Sequence, residues 1–134
     1  MTSLLNRPPT LLRRALLADA VASGGVAVLL VAAAGPLENL LAIPAAFLRG
    51  AGLLLIPYTL FVAYLGTRDT IASGKGWFVV EANVIWAAAS VLVLVTGWIA
   101  PNTLGLLFVL GQAAVVAALG AAQFTGLRQM RTTI

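Results

Sequence analysis

Two carboxylates hold most of the chemistry this sequence can offer. Asp19 lies five residues past Arg14, about 7 Å along a helix axis. Glu81 lies four residues past Trp77. Each sits just inside a long apolar run, where an ionisable group is costly and marks a place for function. Asn83, Gln123 and the Tyr64 hydroxyl fall at similar depth. A polar layer of Asp19, Glu81, Asn83, Gln123 and Tyr64 reaching across the whole molecule is therefore expected. Two neighbouring carboxylates repel, and a proton shared between them can be taken up and released. One reading is thus a proton or cation site. The other is shallow anchoring, with Asp19 paired to Arg14 or a loop cation and Glu81 to Lys75 or Arg68, near helix ends where charge costs less.

Two further polar features stand apart. Gln112 lies nine residues past Thr103, near the middle of an apolar run, where it can bond between helices or touch a ligand. Glu38 and Arg49 are placed to form one ion pair at the opposite end, of small energy if wet. The chain has no cysteine and no histidine. Disulfides, thiolate metal sites and cysteine nucleophiles are excluded, and so are the commonest metal ligand and general base. No metal and no cofactor are expected, and these absences point away from catalysis. A carboxylate pair doing acid/base work is the enzymatic alternative that remains.

These residues need helices in lipid to position them. Of 134 residues, 61% are hydrophobic and 9% charged, with a mean hydropathy of +1.04, whereas soluble domains carry roughly 25% charged residues. Four apolar runs, at about 15–34, 47–65, 77–98 and 103–127, are each long enough to cross a hydrocarbon core of about 30 Å. They break at Gly35-Pro36, Gly66-Thr67-Arg68-Asp69 and Ala100-Pro101-Asn102. A backbone crossing lipid must satisfy its own hydrogen bonds, so all four are helices. The expected fold is an all-α, membrane-spanning four-helix bundle forming a single domain over 1–134. Segment 37–44 is too short to span and fits a turn of helix at the interface, with Glu38 and Asn39 toward water. Thr67 to Gly76 reads as a solvated turn.

The basic residues set an orientation. Arg7, Arg13, Arg14, Arg68, Lys75, Arg128 and Arg131 collect on one side, against Arg49 on the other. Positive residues stay inside, which predicts both termini in the cytoplasm. Trp77 and Trp98 mark the two interfaces. The net charge of +4 follows from these flanks and implies no nucleic acid partner. The first run also has features of a cleaved signal peptide, with Arg13-Arg14 before it and Ala32-Ala33-Ala34 after it. Its length, and Asp19 within it, favour a retained helix. For packing, Ala113, Ala117 and Ala121 run beside Ala114, Ala118 and Ala122 on the fourth run. Ala20 and Gly24, and Ala87 to Ala89, are small residues on the first and third. Pro57 predicts a kink.

Arg13-Arg14-Ala15-Leu16-Leu17-Ala18-Asp19 and Asn83-Val84-Ile85-Trp86-Ala87 resemble small four-helix proteins common in proteobacterial genomes, a group without an established activity. The resemblance implies a multi-pass protein of a bacterial inner membrane. Small multidrug transporters are similar in size and carry an acid in helix one, but Asp19 is nearer the edge and the basic bias opposes dual topology. Quinone-linked disulfide oxidases require cysteines. The expected function is a non-enzymatic bundle that binds membrane lipid or another apolar molecule, or serves as an accessory or scaffold subunit. Its expected partners are lipid and, beyond that, copies of itself or a larger membrane complex. The alternative is a proton- or cation-coupled small transporter working as an oligomer.

Overall fold

The computed structural model describes residues 5–6 and 8–132, and the side chains of 8–130. In chain order come β1 (Leu5–Asn6), α1 (Thr10–Ala32), α2 (Ala34–Leu41), α3 (Ala45–Thr67), β2 (Ile71–Ala72), α4 (Ser73–Val95) and α5 (Thr103–Thr132). The described residues are thus helical apart from short connections and one two-residue ladder. The four long helices have the length and apolar composition to cross a membrane, the build of a multi-pass membrane protein. Of the expected basic cluster, Arg7 and the side chain of Arg131 lie outside the described residues. The end of the bundle holding Arg13, Arg14, Arg68, Lys75 and Arg128 is called the basic end below.

The helices reach further toward that end than the apolar runs do. α1 begins at Thr10 and α4 at Ser73, and α5 continues to Thr132. Pro9 and Pro44 stand just before α1 and α3. Their fixed φ suits a helix entry, and each carbonyl accepts the first intrahelical bond, from Arg13 N and Leu48 N. α4 stops three residues earlier than Trp98 because Gly97, at φ 75°, takes the left-handed conformation that ends helices. The expected solvated turn at 67–76 is corrected. Ile71 is buried, and Ile71–Ala72 pairs antiparallel with Leu5–Asn6.

α1 packs on α3 and α5, and α4 packs on α5, while α3 and α4 scarcely touch. The helix pairs α1/α3 and α4/α5 are therefore parted along one side. The close contacts fall on glycines rather than on the expected alanine stripes. A side chain at Gly66 would run into Leu16 and Leu17, one at Gly126 into the backbone of Leu12, and one at Gly120 would press on Asn83. Ala113 is buried, but Ala114, Ala117, Ala118 and Ala121 are exposed. Backbones that approach this closely gain dispersion contacts, the main apolar attraction left once lipid replaces water.

Both ends are fastened by polar groups. At the basic end, the Arg13 guanidinium donates to Gly66 O at 2.7 Å and Arg68 O at 2.8 Å, satisfying carbonyls left free where α3 stops. At the far end, Glu38 Oε1 accepts from Ala45 N at 3.1 Å and caps the start of α3, where an anion is favoured. Arg49 is exposed. Capping thus takes the place of the expected Glu38–Arg49 pair, because the free N–H at the start of α3 lies within reach of that carboxylate. Asn102 Oδ1 accepts from Gly105 N at 2.8 Å as the N-cap of α5. Its Nδ2 donates to Leu40 O at 2.9 Å and its own N–H to Leu41 O at 3.1 Å. Ala42, at φ 58°, turns the chain out of α2.

Candidate functional site

Four helices place one polar residue each at matching depth from the basic end. Asp19 is nine residues past the start of α1, Tyr58 nine before the end of α3, Asn83 ten past the start of α4 and Gln123 nine before the end of α5. At 1.5 Å per residue that depth is about 14 Å. The layer lies well inside the helix ends because α1 and α4 begin earlier than their apolar runs, while Asp19 keeps its five-residue spacing from Arg14.

Asp19 is the centre, and it is 1% exposed. Its Oδ1 accepts from Ser23 Oγ at 2.8 Å, one turn on along α1. Its Oδ2 accepts from the Tyr58 hydroxyl at 2.6 Å, Gln123 Nε2 at 2.9 Å and Asn83 Nδ2 at 3.1 Å. The second Asn83 N–H goes to Gln123 Oε1 at 2.7 Å, and Gln123 Nε2 also lies 3.5 Å from Ala15 O. Four donors and no acceptor face the carboxylate. An ionised carboxylate, which only accepts, asks for that arrangement. Among the described residues no cation, Arg14 included, pairs with Asp19; neutral dipoles hold it instead.

Of the five residues expected in the layer, the structure brings together Asp19, Asn83 and Gln123. Glu81 is exposed and takes no part. It is two residues from Asn83 and so about 200° away around the helix, on a different face at nearly the same depth. Tyr64 is also outside the layer. It is 51% exposed, three residues from the end of α3, with the Arg68 guanidinium over its ring at 5.0 Å. Two members went unforeseen. Ser23 is visible in sequence as the residue one helical turn after Asp19. Tyr58 could have been found by counting back from the end of α3, but it lies in an apolar run beside Pro57.

A second polar group lies further along and joins only α4 and α5. Trp86 Nε1 donates to Gln112 Oε1 at 2.9 Å, and Gln112 Nε2 donates to Ser90 Oγ at 2.8 Å and Val109 O at 2.9 Å. Ser90 Oγ donates to Trp86 O at 2.8 Å. Gln112 thus acts as a bond within one helix pair.

Along the parted side between α3 and α4 lie two adjoining cavities. The basic-end cavity, about 380 Å³, is lined by Asp19, Ser23, Tyr58 and Asn83 together with apolar groups such as Leu55 and Leu119. The far-end cavity, about 360 Å³, is lined almost wholly by apolar side chains, among them Leu30, Phe47, Val93, Ile99 and Phe108. Val26, Leu54, Trp86 and Gln112 line both. Leu54 is 68% exposed, so the crevice opens to the surroundings of the bundle beside it. From Asp19 to Leu30 the two cavities follow α1 for about 16 Å. The chain matches no family model, no curated protein and no solved structure.

Proposed function

We propose that this protein is a non-enzymatic, multi-pass protein of a bacterial inner membrane, with both termini cytoplasmic, that holds the chain of an apolar membrane molecule in the crevice between α3 and α4. One observation carries this. Two cavities of about 360 and 380 Å³ adjoin along a side where the helices scarcely touch. Ligand sites are concave, mostly apolar and a few hundred Å³ in size, with a small number of placed polar groups. The far-end cavity supplies the apolar length, and the basic-end cavity supplies the polar groups. Seven of the eight Lys and Arg residues fall at one end of the sequence's helices, which supports the inward orientation of that end.

The alternative of a proton- or cation-coupled oligomeric transporter rests on Asp19 alone, since Glu81 stands outside the network. The test is native mass spectrometry of the protein released from lipid nanodiscs. The wild type is expected to retain one apolar molecule. Ala89→Trp, which fills the far-end cavity from its α4 wall, is expected to lose it. Equal retention by both proteins would sink the proposal.

A further inference from the structure

The two cavities differ in what they ask of an occupant, as counting hydrogen-bond donors brings out. The Tyr58 hydroxyl has one proton to give but two acceptors within reach, Asp19 Oδ2 at 2.6 Å and Asn83 Oδ1 at 3.0 Å. The shorter bond, to the charged group, takes the proton. Asn83 Oδ1 is then left without a donor. Asp19 is similarly lopsided. Three donors meet Oδ2, whereas Oδ1 receives only Ser23, and a carboxylate offers about four lone-pair sites. Two acceptors short of a donor thus belong to residues 1% and 3% exposed, and both residues line the same cavity.

The charge of that cavity is unbalanced as well. No lysine or arginine is among its lining residues. Arg13, six residues before Asp19, is held by the end carbonyls of α3. A buried charge without a counter-ion is costly, and a cation that also hydrogen-bonds to it offsets that cost. The walls also include Tyr58 and Trp86, aromatic rings whose faces favour cations. An anionic head would meet the like charge of the carboxylate, and the donors in the lining (Ser23, Tyr58, Trp86 and Gln112) are already engaged, so it is disfavoured.

We infer that the basic-end cavity takes the ammonium head of a lipophilic amine. Its N–H groups donate to Asp19 Oδ1 and Asn83 Oδ1, and its apolar body runs past Val26 and Leu54 into the far-end cavity. This rests on the proposal that an apolar chain occupies the crevice, and adds the head-group class. The test compares dodecylamine, dodecanol and dodecanoate by native mass spectrometry of the protein released from phosphatidylcholine nanodiscs. Wild type is expected to retain dodecylamine at least tenfold better than the other two. Asp19→Asn should lose at least tenfold of that retention and leave dodecanol unchanged. Val116→Lys, which tethers an ammonium to the α5 wall of the same cavity, should do likewise and does not depend on the fold tolerating a change at Asp19. Equal retention of amine and alcohol by wild type, or amine retention that neither variant alters, overturns the head-group assignment and leaves the crevice proposal standing. If none of the three probes is retained and Ala89→Trp also changes nothing, both fall.

Discussion

The two polar groups of this bundle are built to different plans. Near the basic end, Asp19, Tyr58, Asn83 and Gln123 come one from each long helix and meet at a single carboxylate. Further along, Trp86, Ser90 and Gln112 join α4 to α5 and reach no other helix. The first plan ties both helix pairs together, and the second only stiffens one pair. Hence the pairs are bonded to each other near the basic end and, through Asn102, at the far end, and the far-end cavity lies between, where no hydrogen bond among the described residues joins α3 to α4.

That contrast can be tested by weakening each plan in turn. The largest effect is expected from Gln123→Leu, which takes a donor from Asp19 and the partner carbonyl from Asn83. Loss of hydrogen bonds to a buried charged group should cost about 2–3 kcal/mol, read as unfolding free energy in bicelles. Asn102→Ala removes the N-cap of α5 and its bond to α2, at an expected cost of about 1–2 kcal/mol. Gln112→Leu should cost only about 0.6–1 kcal/mol, the usual value for a bond between helices in a membrane. If Gln112→Leu proved as costly as Gln123→Leu, the distinction between the two plans would fail.

A last substitution sharpens the comparison from the other direction. Thr59 Oγ1, beside Tyr58, is a buried polar atom without a hydrogen-bond partner, while its methyl packs on Gly24. Thr59→Val keeps the shape and removes the unpaired hydroxyl. It should be neutral or stabilise by up to about 1 kcal/mol, and a clear loss in the same unfolding measurement would show that the hydroxyl has a partner in the membrane.

Much of this architecture was legible because lipid restricts the options. Long apolar runs had to be helices, and the polar residues within them had to find one another, which singled out Asp19, Asn83 and Gln123. Depth along the axis is readable from residue number. The direction around the axis is not, until neighbours are known, so Glu81 shares a depth with Asn83 although it lies on another face. An apolar run shows where a helix leaves lipid and not where the helix itself ends. The helices at the basic end continue through Thr10–Arg14 and Ser73–Gly76, so the layer lies further from the helix ends than the apolar runs suggest, and Tyr64, three residues from the end of α3, falls outside it. The far-end fastening by Glu38 and Asn102 was hidden for a related reason. Both side chains cap helix ends, and a cap shows only when the end itself is known.

The spacing of Asp19's partners along the chain bears on what completes the site. Ser23 is four residues away, but Tyr58, Asn83 and Gln123 are 39, 64 and 104 residues downstream. Within α1 the acid is matched to a single neighbour, and α3, α4 and α5 each supply one more donor. A chain without α5 lacks the Gln123 donor to that acid. The donor set around this one carboxylate is therefore complete only once α5 is in place.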